Sequence, residues 1–260
     1  PLLLAACVSA ANGMDTAVIV LTSNSQYPED SERAKAGKTT GWYLPEAVHP
    51  YWRFRDAGFR VVFASVDGGH APVDPGSMPG DDECARFWDD AELRGLTENP
   101  RRLSDIDEAD IDVIRCAGGF GVMWDFPEWV AAHDVIRAMY RRSAPVGGVC
   151  HGPIVFANVK LDDGTPLVSG KDVTAFTNQE EHAVGMYETV STENGSGPGS
   201  CEDVLSRRGG KFKDGGKWQA NVASAHPLYT GQNPDSASPL AEATDGPGLL
   251  ESHGPAFALK

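Results

Sequence analysis

Val146–Pro153 reads V-G-G-V-C-H-G-P, and the fold is decided by this stretch. Val146 and Val149 suit a buried strand, while the paired glycines strip it of bulk. Cys150 stands where that strand must end, ahead of Gly152 and a helix. A buried strand delivering one nucleophile-capable side chain into a sharp turn has the layout of a nucleophile elbow. At a helix N-terminus the partial positive charge favours thiolate over thiol, which predicts a reactive Cys150. His151 follows directly and is placed to act as general acid or base. A buried, inert cysteine is the competing reading. The flanking glycines and the adjacent histidine weigh against it.

Working outward, strand and helix alternate. Asp15–Thr22 (DTAVIVLT) is a short continuous apolar run, as in a buried parallel strand. Leu44, Ala47, Val48, Tyr51, Phe54 and Ala57 recur at helical spacing, and Gly58 closes that helix. Arg60–Ser65 reads as a second strand, Gly68–Gly80 as a long loop, and Asp81–Leu96 as one helix with acids at its start. Asp112–Cys116 is a third strand, Pro127 opens a helix through Arg141, and Pro145–Val149 is a fourth strand. Beyond it, Val173–Phe176 and Leu228–Thr230 read as strands, Gln179–Tyr187 and Glu202–Arg208 as short helices. This βαβ rhythm implies an α/β fold with a parallel sheet and helices on both faces. Ligands of such sheets bind at the carboxyl ends of the strands. Ala117–Trp124 (AGGFGVMW) also falls there, and its glycines leave backbone N–H groups available to a developing oxyanion.

Composition bounds the partners. The chain carries 37 acidic against 22 basic side chains, a formal charge of −15. That balance argues against a nucleic-acid or anionic-membrane partner, which needs basic patches. Five cysteines without a CxxC pair disfavour a disulfide framework or a thiolate zinc site and point to a reducing compartment, the cytoplasm. No apolar run approaches the roughly 18 residues of a membrane span. Leu2–Cys7 (LLLAAC) looks like the end of a lipoprotein signal, but no basic region precedes it. Residues 1–13 are therefore read as a short apolar extension ahead of a single domain over 14–260. Cys84, Cys116 and Cys201 are expected to be core or incidental thiols, and His49, His70 and His226 solvated or structural. No His/His/carboxylate spacing identifies a metal site.

Six blocks carry a resemblance: Gly41–Tyr51 (GWYLPEAVHPY), Ala71–Pro75 (APVDP), Gly118–Pro127 (GGFGVMWDFP), Gly148–Pro153 (GVCHGP), Thr174–Gly185 (TAFTNQEEHAVG) and Thr230–Pro234 (TGQNP). In these, from about Thr16 to Ala243, the chain resembles the DJ-1/ThiJ/PfpI family of the class I glutamine-amidotransferase-like superfamily. Its heat-shock chaperone and glyoxalase III branch is the nearest match. The resemblance implies a single-domain, three-layer α/β/α sandwich with a flavodoxin-like, mostly parallel sheet. It also implies site roles. Cys150 matches the nucleophile, His151 the histidine beside it, and Glu181 the acid that orients that histidine, with Glu180 the fallback if the register slips by one. Glu46 matches a buried carboxylic acid that hydrogen-bonds the sulfur; burial would raise its pKa and keep it protonated. Gly119 and the His151 backbone N–H match the oxyanion donors, and Phe120 and Trp124 fall at the substrate pocket.

The implied activity is that of a cofactor-independent, cysteine-dependent lyase acting on a small 2-oxoaldehyde, working as a homodimer, with protein deglycase activity from the same nucleophile. Two alternatives accompany it. One is a stress-response holdase chaperone in which Cys150 senses redox state; the other is a hydratase or hydrolase of isonitriles or amides. Two departures bear on the choice. Phe120 replaces the histidine of a Gly-Gly-His-Gly loop, and Ser191–Ser200 (STENGSGPGS) replaces an apolar run, either as a mobile lid or as a lengthened surface loop.

Overall fold

The computed structural model describes residues 14–191 and 197–244. The expectation for residues 1–13 and the middle of the Ser191–Ser200 insert fall outside the described residues. Among the described residues there are nine strands: β1 (Thr16–Leu21), β2 (Arg60–Ser65), β3 (Arg101–Arg102), β4 (Val113–Cys116), β5 (Val146–Val149), β6 (Asp172–Val173), β7 (Lys211–Phe212), β8 (Val222–Ala225) and β9 (Leu228–Gly231). Seven of them form one sheet in the order β3-β2-β1-β4-β5-β9-β8, and β6 pairs with β7 separately. Every pair in the large sheet is parallel except β8 with β9. The helices are α1 (Glu32–Lys35), α2 (Leu44–Asp56), α3 (Asp82–Asp89), α4 (Ala91–Glu98), α5 (Val122–Asp125), α6 (Val130–Arg141), α7 (Asn178–Ala183), α8 (Tyr187–Val190), α9 (Cys201–Arg207) and α10 (Ala237–Glu242).

The layering follows from the two-residue period of β1. Val18 and Val20 enter one apolar cluster, joined there by Ala132, Val135, Ile136 and Met139 of α6. Ala17, Ile19 and Leu21 face the other way, into a cluster with Ala47, Val48, Tyr51 and Phe54 of α2 and Phe87 of α3. A strand buried on both faces needs apolar residues at successive positions, which is why β1 reads as a continuous run. The result is the expected three-layer α/β/α sandwich with a mostly parallel sheet.

Several elements differ from the sequence reading. Asp81–Leu96 is two helices, because Asp90 is extended and its side chain caps the second, accepting from Glu92 N at 2.8 Å. Pro127 lies in the turn after α5, and α6 begins only at Val130. The strand expected over Val173–Phe176 pairs only at Asp172–Val173; beyond it Thr174 N donates to Thr230 Oγ1 at 2.8 Å and Phe176 N to the Cys150 carbonyl at 2.9 Å. Gln179–Tyr187 divides into α7 and α8 at Gly185, whose φ is +70°. Sequence periodicity gave no sign of β8 or α10.

The backbone is drawn tight where β4 and β5 end. A Cβ on Gly152 would stand 2.3 Å from the Cys116 carbonyl oxygen, and one on Gly148 would stand 2.9 Å from Pro153 N. Gly95, within α4, has open space where its Cβ would be. Gly152→Ala is therefore expected to cost roughly 1–3 kcal/mol. Gly95→Ala should instead add about 0.5–1 kcal/mol, since alanine loses less backbone freedom in a helix. Urea denaturation of both variants measures this. A Gly152→Ala protein as stable as the parent would contradict the close approach.

Candidate active site

Cys150 occupies the residue after β5, with φ of +58°, a left-handed conformation rare for a residue with a side chain. Its N–H donates to Gly231 O and its carbonyl accepts from Phe176 N, both at 2.9 Å. The turn is thus fixed from β9 on one side and from the segment after β6 on the other. The following segment, Gly152–Asn158, is a 3-10 helix with Pro153 in its first turn.

Cys150 Sγ lies 3.2 Å from His151 Nδ1, and His151 Nε2 lies 2.8 Å from Glu181 Oε1. Sulfur, imidazole and carboxylate therefore form one line of contacts that uses both ring nitrogens. His151 is clamped between aromatic faces, its ring 4.4 Å from that of Phe120 and 4.6 Å from that of Phe176. Glu180 is also fully buried, but its oxygens are committed elsewhere. Oε2 closes a capping box with Thr177, and Oε1 accepts from Trp218 N, Gln232 Nε2 and Asn233 Nδ2. Of the two, Glu181 is the one in contact with His151.

Glu46, in the first turn of α2, is fully buried, and its Oε2 accepts from Gly118 N at 2.7 Å. Burial pushes its carboxyl up to about 8, so it is largely protonated at neutral pH. Burial likewise pushes the Cys150 thiol well above its ordinary value, and the neighbouring Glu46 charge adds to the shift. This corrects the expectation of a thiolate favoured by a helix N-terminus. Cys150 is only 3% exposed, and losing water outweighs what a short 3-10 turn supplies. Protonation of Glu46 removes the charge that opposes a thiolate.

A cavity of about 490 Å³ opens over Cys150. Gly119, Phe120, Cys150 and His151 line it, and Tyr27, Tyr43, Phe176 and Trp218 make the rest of its wall aromatic. Arg33, Asp74 and Asp235 supply its charges. Among the described residues, no hydrogen bond is made by the backbone N–H of Gly119 or of His151. Trp124 is not part of this cavity. It packs edge-on against Tyr27, ring centroids 5.9 Å apart, and lines a separate groove with Pro127 and Arg208. Asp74, which the sequence does not single out, lies in the APVDP block, caps the turn at Pro75–Ser77 and lines the cavity.

Cys116 is a buried thiol, as expected for a core position; Cys84 and Cys201, expected to be incidental, are buried as well, and all four cysteines among the described residues are free. His226 is structural, its Nδ1 3.0 Å from Tyr229 Oη. The cavity holds no cluster with metal-ligand spacing. Among the described residues such a cluster occurs at His49, Asp81 and Cys84, none of which lines the cavity.

Comparison with known proteins agrees with this architecture. The chain is 32% identical over 215 residues to the glutathione-independent glyoxalase hsp3102 of Schizosaccharomyces pombe, a match covering 80% of this chain and 88% of that protein. It is 30% identical over 215 residues to glyoxalase 3 of Candida albicans, covering 79% and 89% respectively. The crystal structure of glyoxalase III from Candida albicans superposes with a TM-score of 0.80 at 27% identity, covering 89% of this chain and 96% of that one. The family model described as DJ-1/PfpI matches residues 40–243. With this match spanning most of its length, the chain belongs to the DJ-1/PfpI family.

Proposed function

We propose that this chain is a glutathione-independent glyoxalase, an enzyme that converts a 2-oxoaldehyde such as methylglyoxal into the 2-hydroxy acid without a cofactor. The observation that carries this reading is the line of contacts from Cys150 Sγ through His151 to Glu181, at the floor of an aromatic cavity and beside a protonated Glu46. The relatives named as glyoxalases support the same substrate class.

The steps balance without an external oxidant. The Cys150 proton passes to His151, and the thiolate adds to the aldehyde carbon to give a hemithioacetal. The oxygen that gains charge is received by the N–H groups of Gly119 and His151, both without a hydrogen bond among the described residues. His151 then gives its proton to that oxygen and, neutral again, takes the proton of the same carbon while Glu46 protonates the neighbouring carbonyl oxygen. The resulting enediol takes the proton back at the neighbouring carbon and returns its hydroxyl proton to Glu46. The aldehyde carbon is oxidised to a thioester while the adjacent carbonyl carbon is reduced to an alcohol. Water hydrolyses the thioester, releasing the 2-hydroxy acid and restoring the thiol. Glu181 holds the imidazole in line throughout. The same nucleophile suits removal of glyoxal adducts from proteins, and four free buried thiols suit a reducing, cytoplasmic setting.

Lactate is expected from methylglyoxal in the absence of glutathione. Cys150→Ala should lower turnover by about a thousandfold or more. Glu181→Gln should lower it by roughly a hundredfold to ten-thousandfold, the range of general acid–base effects. Undiminished lactate release by Cys150→Ala would sink the mechanism. Glu46 gives a second test. Its folded pKa of about 8 exceeds the ordinary 4.5, so the folded state holds this proton more tightly than the unfolded chain does. Its stabilising contribution is therefore complete below pH 4.5 and lost as pH rises toward 8. Relative to Glu46→Gln, the parent's urea midpoint should decline across that window. Parallel pH profiles of the two proteins would rule out a buried proton on Glu46.

A further inference from the structure

We infer that His49, Asp81 and Cys84 form a site for a zinc-class divalent cation, separate from the Cys150 cavity. His49 stands on α2, Asp81 caps the N-terminus of α3, and Cys84 lies in the first turn of α3. His49 Nε2 is 2.8 Å from Asp81 Oδ2 and 4.0 Å from Cys84 Sγ. The ligand atoms of the three residues all lie within 4.8 Å of one another.

The arrangement differs in kind from the one at Cys150. There, sulfur and carboxylate meet opposite nitrogens of the imidazole, as a proton relay requires. At His49 both neighbours converge on a single nitrogen, so a proton cannot pass through the ring between them. Convergence of an imidazole nitrogen, a sulfur and a carboxylate oxygen on one point is the layout of a metal site, and this donor set is that of zinc. Zinc bonds of about 2.0–2.3 Å place tetrahedral ligands roughly 3.3–3.8 Å apart. The 2.8 Å contact would have to open and the 4.0 Å contact to close, each by under about 1 Å. Asp81, whose side chain is 55% exposed, is free to make that adjustment.

Other groups hold the donors in place. Asp81 Oδ1 accepts from Cys84 N at 3.0 Å, which leaves Oδ2 turned to His49. Trp52 Nε1 donates to Glu83 O at 3.2 Å, tying the first turn of α3 to α2. Gly80 has φ of +74°, and a Cβ there would stand 2.9 Å from Cys84 Sγ, so the missing side chain keeps room around the sulfur. Three protein donors leave a fourth position for water. On binding, the Cys84 S–H bond breaks, a sulfur–metal bond forms and one proton is released to solvent, while His49 binds as the neutral imidazole. The metal would bridge α2 to α3, one turn along α2 from Glu46.

The test titrates the full-length, untagged, metal-free chain with Co²⁺, then with Zn²⁺. A thiolate-to-cobalt charge-transfer absorption should saturate at one equivalent and be displaced by zinc, with a zinc-dependent rise in Tm. Cys150→Ser should retain the band and Cys84→Ser should lose it. Asp81→Asn keeps a good helix cap while removing the carboxylate, so it serves if Cys84→Ser fails to fold. It should bind cobalt about tenfold or more weakly. No band, a band that survives Cys84→Ser or vanishes in Cys150→Ser, or unchanged affinity in Asp81→Asn would each overturn the assignment.

Discussion

Everything at the functional end of this molecule depends on how closely two backbone turns approach. The turn after β4 and the turn after β5 lie so near each other that a Cβ on Gly118 would stand 2.7 Å from both His151 N and Val149 O. Glycine at Gly118, Gly148 and Gly152 is what lets the chain pass, and the reward is positional. The Gly118 amide reaches Glu46, and the Cys150 side chain projects from a left-handed residue. A single added methyl group in that crossing would separate the sulfur from the groups that surround it.

The same crowding sorts three buried carboxyl groups by what they still have to give. Glu180 accepts hydrogen bonds at both oxygens and serves the architecture of α7 and the Trp218 loop. Glu181 spends one oxygen on His151 while the other is without a hydrogen-bond partner. Glu46 spends one on Gly118, has the Cys150 thiol as its other neighbour, and keeps its proton. Burial of a charge is expensive unless it is compensated, and Glu46 avoids that cost by staying neutral.

Much of this was legible in the residues, and the gaps have physical reasons. The apolar run at Thr16–Leu21 and the glycine-flanked Cys150 announce themselves because strand burial and tight turns act locally. The register at Glu181 was legible too, had Thr177-x-x-Glu180 been read as a capping box, which commits Glu180 to the helix start. Asp90 hid inside a helical run because a side chain that caps one helix also suits the interior of an acidic one. The thiol's raised pKa was not legible, since desolvation is set by neighbours distant in sequence. The packing partner of Trp124 was not legible for a similar reason: its ring lies against Tyr27 and faces a separate groove. His49 and Asp81 are 32 positions apart, and only tertiary packing brings them together.

The imidazole of His151 has one more property that follows from its two aromatic neighbours. Held between Phe120 and Phe176, the ring has little freedom to tilt or rotate away from Sγ and Oε1. In the proposed reaction the proton of Sγ then reaches Nδ1 without heavy atoms having to search for alignment. The entropy of orienting the base is lost once, during folding, rather than again at each turnover. Phe120, which has no proton to offer, thereby becomes a bearing surface for the residue that does.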